Sequence, residues 1–206
     1  MTWSRLAGDV TTVQLTPLDV GAKWVKWTLP DSGFYLQTTT NVANPGSWTT
    51  LTGPEATVAP LLSFSSSGFR TALVPSADLG SSKLNFFRLF KRIFTKLQVL
   101  MPGETAAPGT ASGKTGIPGP QQVGVSFTVT VNAVDANWHL ADTVSDTVHV
   151  TSSDGAATLP ADAALVSGTR TFTVTFNTAG SATVTAADVT DPSKTANTGT
   201  STTVNP

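Results

Sequence analysis

The run at 125–134 alternates apolar and polar side chains as far as Ala133, and it constrains the fold more than any other feature of the chain. A spacing of two places successive side chains on opposite sides of an extended backbone. It is typical of a β-strand with one face on a core and the other toward water. The residues predicted to share the core face are Phe127, Val129, Val131 and Ala133.

Similar short runs follow this strand, and the sequence between them contains no helical pattern. Strands are predicted at 147–151, 171–176, 182–186 and 198–204, with a turn at Gly180-Ser181. Several short alternating strands separated by turn signals predict a two-sheet sandwich for the second half of the chain.

The first half is less regular but also has β character. Two apolar runs, 24–29 and 34–39, flank the turn-forming residues Pro30-Asp31-Ser32-Gly33. Further strand candidates lie at 47–51, 56–60 and 86–90. The segment 84–97 leaves a short helix open as an alternative, because its apolar residues do not alternate.

Charge and breaker residues divide the chain in two. Residues 1–92 carry a net charge of +3 and residues 93–206 a net charge of −4. The stretch 101–120 is rich in Pro and Gly and predicts a connection with at most one short edge strand. The boundary falls near 93 if 95–100 is the first strand of the second domain, which we favour, or near 103 otherwise. The predicted domains are therefore 1–92 and 93–206.

Composition argues against several functions. The chain has 12 Lys and Arg against 13 Asp and Glu, so no positive field favours nucleic acid. With no Cys and two His, a thiolate metal site or a cysteine nucleophile is excluded. No apolar segment is long enough, without charges, to insert into a membrane. The N-terminus lacks the features of a signal peptide, so an exported chain would be a mature or internal piece.

The second half resembles a known family. Residues 133–137, 146–154, 157–161 and 171–188 closely resemble, in order and spacing, the bacterial immunoglobulin-like repeats of large secreted and surface proteins. The resemblance covers about residues 120–204. Trp138 departs from the pattern, since the family usually has Gly there, so a tight turn is in doubt and an exposed aromatic is expected.

The first half is similar to a second family. Residues 34–42, Trp48 to Leu51 and Asn85 to Leu89 look like a small module of exported proteins from Verrucomicrobia-like bacteria, itself similar to a fibronectin type III domain. Both resemblances imply a non-catalytic building unit located outside the cell or on its surface. The expected fold class is all-β, with two tandem β-sandwich domains, immunoglobulin-like and fibronectin III-like.

Few residues could carry chemistry. His139 with Asp142, Ser145 and Asp146 could be read as a triad, but no Gly-x-Ser-x-Gly elbow accompanies it. Gly113-Lys114-Thr115 has the wrong spacing for a phosphate loop. No catalytic residue and no cofactor are predicted. The oxygen ligands that could come together for calcium are Asp135, Asn137, Asp188 and Asp191.

Contacts with other molecules are a second route to function. The apolar segment 84–100 predicts an interdomain or subunit interface, and Trp138 could stack on a sugar. The interface candidates are Phe86, Phe87, Phe90, Ile93, Phe94 and Trp138. We predict a non-enzymatic structural or adhesive module of the bacterial cell surface. Its partners would be copies of itself, neighbouring domains or glycans. The alternatives are a filament or surface-layer subunit that assembles by β-edge addition, and a carbohydrate-binding accessory module.

Overall fold

The structure is a computed structural model that describes residues 22–28, 34–51, 62–66, 68–79, 81 and 84–206. Every regular element longer than a single 3₁₀ turn in these residues is a β-strand, which confirms the predicted all-β class. The chain forms two compact units, one of residues 1–31 and 35–90 and the other of 32–34 and 91–206. That each unit folds by itself stays a prediction.

The N-terminal unit contains two three-stranded sheets around a small core. Its strands are β1 (Lys23–Thr28), β2 (Phe34–Thr39), β3 (Thr49–Thr50), β4 (Leu62–Ser66), β5 (Phe69–Val74) and β6 (Phe86–Lys91). The sheet orders are β1-β5-β4 and β3-β2-β6. Leu36 of β2 packs in one buried cluster with Ala72 and Val74 of β5, so apolar residues of both sheets meet there.

The structure tests one of the alternatives considered for this half and leaves two predicted elements untested. The helix considered for 84–97 is wrong, because β6 and the strand that follows it occupy most of that segment. The Pro30–Gly33 turn and the strand at 56–60 lie outside the described residues.

The C-terminal unit is a two-sheet sandwich. Its strands are β7 (Lys96–Leu100), β8 (Glu104–Ala106), β9 (Lys114–Gly116), β10 (Gln121–Gln122), β11 (Ser126–Val134), β12 (Thr147–Ser152), β13 (Ala163–Ala164), β14 (Thr169–Thr175), β15 (Gly180–Ala182), β16 (Val184–Asp188), β17 (Asn197–Thr198) and β18 (Thr202–Asn205). The sheets β14-β11-β7 and β13-β12-β16-β17 contribute to one core, and β10-β18-β15 forms a third, smaller sheet.

The central strand β11 shows why the alternating run folds as it does. Val129, Val131 and Ala133 are fully buried, and Phe127 packs against the core with its ring 4.9 Å from that of Phe176. The other face of β11 was expected to be wet along its length, and this is wrong at its end. Asn132 and Val134 are buried there.

A hairpin covers that outer face. β8 and β9 pair antiparallel, so the connection at 101–120 contains two strands where at most one was expected. Gln98, on the outer face of β7, donates from its amide to the Gly113 carbonyl of the hairpin (2.7 Å). Asn132 donates in turn to Gln98 (3.1 Å). This buried chain of hydrogen bonds satisfies polar groups that would otherwise be costly to cover.

The predicted turn at Gly180-Ser181 is also wrong. Gly180–Ala182 forms β15 and pairs antiparallel with β18, while β10 pairs with the other edge of β18 in parallel. β18 is therefore the central strand of this sheet. A pairing partner about twenty residues further along the chain leaves no local signal in the sequence.

Candidate functional site

Several acidic residues gather at one end of the C-terminal sandwich, which we call the acidic end: Asp135, Asp146, Asp188 and Asp191. β11 ends there and β7 begins there, since Val134 pairs with Lys96. A bridge between Lys96 and Thr195 brings the chain after β16 to the same place. The loop after β11 and the loop after β16, which contain the calcium candidates, therefore lie at the same end of the sandwich.

Asp135 organises the first of these loops. Its Oδ1 accepts hydrogen bonds from the backbone N–H groups of Asn137 (2.8 Å) and His139 (2.9 Å). The His139 Nδ1 lies 3.3 Å from the same oxygen. Asp135 thus acts as the side chain that closes a tight turn, which is a common role of Asp after a strand. The Asn137 residue contributes its backbone to this turn.

Trp138 occupies the position where the resembled family has Gly, and its backbone has the positive φ of 69° that Gly favours. The indole is half-buried. Its Nε1 donates to the Ala111 carbonyl (3.2 Å), and the Lys96 ammonium lies 3.4 Å from the ring centroid. Gly113 packs so closely that a Cβ there would overlap the ring. These contacts occupy part of the indole surface on which a sugar would stack.

The second loop follows β16. Asp188 Oδ1 accepts from the Asp191 N–H (2.9 Å), and Asp191 Oδ1 accepts from the Ser193 hydroxyl (2.6 Å). Lys194 pairs with Asp191 Oδ2 at 3.0 Å. Hydrogen bonds from Ser193 and Lys194 lower the pKa of Asp191 to about 2. Asp191 is therefore ionised and already neutralised within its own turn.

Asp146 lies beside Asp188. Burial and the negative charge of the neighbouring Asp188 raise the pKa of Asp146. Asp191 acts in the same direction and Lys194 opposes it. Asp188 is 6% exposed, and its Oδ2 is buried with no hydrogen-bond partner. The sequence analysis placed Asp146 only with His139, as part of a possible triad. Its proximity to Asp188 was not predicted.

No group of three or more His, Asp or Glu side chains within the described ranges could hold a metal ion. Asp135 with Asn137, and Asp188 with Asp191, remain two separate turns whose oxygens accept backbone N–H groups. The calcium candidates are thus placed near each other by the fold but are used within their own loops.

The remaining polar candidates are also engaged inside the chain. His149 is exposed and its Nδ1 lies 2.6 Å from Asp162. Lys114 of the supposed phosphate loop lies on β9 and pairs with Glu104 at 3.0 Å. Glu104, whose side chain is 2% exposed, also accepts from the Met101 N–H and the Thr200 hydroxyl. Glu104 therefore connects the hairpin to the residue after β7 and to the segment before β18. No spacing in the sequence indicated this role.

The apolar interface candidates have different surroundings. Phe87 packs against the core of the N-terminal unit, and Phe90 is half-buried near Arg88. Phe94 packs against the core of the C-terminal unit, with the Lys194 ammonium 5.5 Å from its ring. Phe86 is partly exposed, and Ile93 is 71% exposed. Ile93 is the most open of the five.

Comparisons with known proteins give little more. No protein-family model matches the sequence, and no curated protein matches it. A solved structure, domains 4 and 5 of the S-layer protein SbsC, matches with 14% sequence identity and a TM-score of 0.37. The match covers 96% of this chain and 82% of that one. A similarity this weak assigns neither a fold family nor a function to the chain.

The comparisons leave the two family resemblances resting on the residues quoted for them. In the part of the chain that the structure describes, no helix is long and apolar enough to cross a membrane.

Proposed function

We propose that the chain is a non-enzymatic structural module of the bacterial cell surface, located outside the cell. The observation that carries this proposal is that the acidic side chains of the loops form hydrogen bonds within their own turns. Asp135, Asp188 and Asp191 each accept backbone N–H groups of their own turn. Side chains that form such hydrogen bonds stabilise the conformation of the loops. Their role in this unit is therefore structural.

The C-terminal core supports the same proposal. Apolar residues from β7 through β18 form one continuous cluster between the sheets. Interiors of this kind are close-packed and resist deformation. A rigid sandwich with a low density of charge suits a spacer that positions neighbouring domains. Adhesion to glycans is less well supported, because the half-buried ring of Trp138 already contacts the Lys96 ammonium and packs against Gly113.

Antibody fragments raised against the purified chain test the location. We expect them to label intact cells of the producing bacterium as strongly as lysed cells. An antibody against a cytoplasmic protein, labelling lysed cells only, is the control for cell integrity. Labelling of this chain only after lysis would contradict the proposal.

Assembly through sheet edges is the second candidate, and one edge favours it. At the outer edge of β14, Thr169 pairs with Val166 and Thr175 pairs with Thr158. Between them, the backbones of Thr171 and Thr173 face outward, and no backbone group of the described residues pairs with them. Unpaired edge groups can accept a strand from another chain. The opening is short, because both of its ends are closed.

Sedimentation velocity at increasing protein concentration tests this candidate. Edge addition predicts species that grow with concentration and disappear in the Thr171→Pro variant, which lacks the free N–H. A matched substitution on an exposed face away from this edge, Thr203→Ala, would leave assembly unchanged. A wild-type chain that stays monomeric throughout removes edge assembly and leaves the spacer proposal standing.

A further inference from the structure

One cation of the N-terminal unit is held in a fixed position without an acidic partner. Arg88 lies in β6 between Phe87 and Leu89, which pack against the core. Because side chains alternate along a strand, Arg88 lies on the opposite side of the sheet β3-β2-β6, which we call the Arg88 face. Gln37 and Thr50, opposite each other in the register of β2 and β3, lie on the same face.

Three contacts hold the guanidinium of Arg88. Its Nε donates to Gln37 Oε1 (2.9 Å). Its central carbon lies 4.1 Å from the centroid of the Trp48 ring and 5.2 Å from that of the Phe90 ring. A guanidinium fixed in this way loses little further freedom when it binds an anion, because folding has already ordered it.

The terminal nitrogens of this guanidinium remain available. In the part of the chain that the structure describes, Arg88 forms no ion pair with a carboxylate, and its Nη1 and Nη2 donate to no acceptor. Two parallel N–H groups in one plane match the two oxygens of a carboxylate. The net charge of +3 on residues 1–92 adds a field of the sign that attracts an anion.

The hydrogen bonds of the Arg88 face also leave a donor at Thr50. Because Gln37 Oε1 accepts from Arg88, the amide nitrogen of Gln37 is directed away from it and donates to Thr50 Oγ1 (3.0 Å). The Thr50 oxygen is the acceptor in that bond, so its own hydrogen can donate to a ligand. The strands of Arg88 and Thr50 lie on either side of β2. They are therefore about 10 Å apart.

We propose that the Arg88 face binds an acidic polysaccharide built of uronic acid units. One carboxylate would accept from Nη1 and Nη2 of Arg88, and a hydroxyl of an adjoining sugar would accept from Thr50. The distance between the two donors exceeds the length of one pyranose ring, so the ligand is a chain of sugars. This site lies in a different unit from Trp138, and it goes beyond the spacer role without depending on it.

The position of the donors favours a sugar over an acidic peptide. β2 is the central strand of its sheet, so its backbone groups are paired with β3 and β6. A peptide laid across this face would find side-chain donors but no backbone partner. Phe86 is two residues before Arg88 on the same face and is partly exposed. Its ring offers apolar surface to the C–H groups of a sugar.

Titration of the full chain with tetragalacturonate, followed by ¹H–¹⁵N NMR, is the direct test. We expect the signals of the Arg88 Nε–H and the Thr50 amide to shift. The methyl ester of the same tetrasaccharide lacks the charges and should shift neither. Tetraglutamate carries carboxylates without a sugar and should bind more weakly. The proposal is overturned if tetragalacturonate does not bind, or if the ester or the peptide binds as tightly.

Variants assign the binding to the guanidinium. Arg88→Gln should weaken the binding of tetragalacturonate by about tenfold or more, the effect of losing a charged hydrogen bond. Arg88→Lys keeps the charge but cannot present two donors in one plane, so it should weaken binding as well. Arg170→Gln is the matched control, because it removes the same charge from beside another ring, that of Phe172 (6.0 Å). Equal affinities for Arg88→Gln and Arg170→Gln, or wild-type affinity in Arg88→Lys, would refute the assignment.

A second pair of variants tests the other end of the site, and it decides the matter if the substitutions of Arg88 prevent folding. Thr50→Val keeps the shape of the side chain without its hydroxyl and should weaken binding by about threefold, as for a neutral hydrogen bond. Thr50→Ser retains the hydroxyl and should bind like the wild type. Equal affinities for these two variants would contradict the proposal.

Discussion

The contact between Gly113 and Trp138 gives the sharpest prediction for a single residue. Gly113 has a φ of 73°, and a Cβ there would overlap the indole. We expect Gly113→Ala to lower the free energy of unfolding by about 3 kcal/mol, from backbone strain and overpacking together. Gly109, on the same hairpin, has a φ of 78° and open space around it. Gly109→Ala should cost about 1 kcal/mol.

Urea denaturation of the two variants measures both values. If Gly113→Ala is no more destabilising than Gly109→Ala, the indole is not packed on the hairpin backbone. Trp138 would then be available for a ligand after all.

Asp154 gives a prediction for acid stability. Burial works to raise its pKa, but hydrogen bonds from Ala156, Asn177 and Thr178 outweigh it, and the pKa is lowered from 3.8. The folded state therefore prefers the ionised form, and its contribution to stability is present above pH 3.8 and is lost as the pH falls through the folded-state pKa. Asp154→Asn should destabilise the chain at pH 7 and flatten the loss of stability on acidification.

Chemical denaturation between pH 2 and pH 7 checks this expectation. Asp162, which is exposed and contacts His149, offers a control in Asp162→Asn. The interpretation fails if both substitutions change the acid limb of the stability curve equally. The Ser-Ser-Asp-Gly run at 152–155 is a turn signal from which this role could have been predicted.

At the scale of the strand, β11 and β14 can be compared residue by residue. Thr130 and Thr171 are opposite each other in the register, but β11 lies between two strands while β14 is at an edge. The N–H of Thr130 belongs to the ladder with β7, and that of Thr171 faces outward. Proline removes the N–H, so Thr130→Pro should lower the melting temperature far more than Thr171→Pro.

Thermal denaturation followed by circular dichroism measures the difference. Equal losses would mean that the outer edge of β14 is occupied in solution. That result would move the argument toward edge assembly, because an occupied edge needs its N–H groups.

The strands also show what the sequence can predict. The alternation at 125–134 correctly identified the buried face of β11, because burial on one side of a strand imposes a spacing of two. It could not predict the burial of Asn132, which depends on Gln98 and on the hairpin of β8 and β9. The sequence of that hairpin is rich in Pro and Gly and was therefore interpreted as a linker. The partner of Asp188 was missed for the same reason, since Asp146 precedes it by more than forty residues.

For the whole molecule, the boundary between the units can be tested by truncation. Leu97, Val99 and Met101 are buried in the C-terminal core, so a fragment that starts at 91 keeps them. We expect this fragment to unfold cooperatively in urea with dispersed amide NMR signals. A fragment that starts at 103 removes β7 from between β11 and the β17 segment and should be unfolded.

A folded fragment from 103 and an unfolded one from 91 would place the boundary elsewhere. The choice between 93 and 103 made from the sequence rests on whether 95–100 belongs to the second domain. The position of β7 in the sheet of β11 argues for the earlier boundary.

The direction of two strands has a consequence for the spacer role proposed above. β10 and β18 run parallel, and the bridge between Lys96 and Thr195 is parallel as well. Tension applied to the two ends of the C-terminal unit would therefore pull these neighbours past each other. Hydrogen bonds loaded in shear must break together, whereas those of an antiparallel hairpin pulled open yield one by one. If the unit is the spacer proposed above, these strand directions would favour resistance to tension.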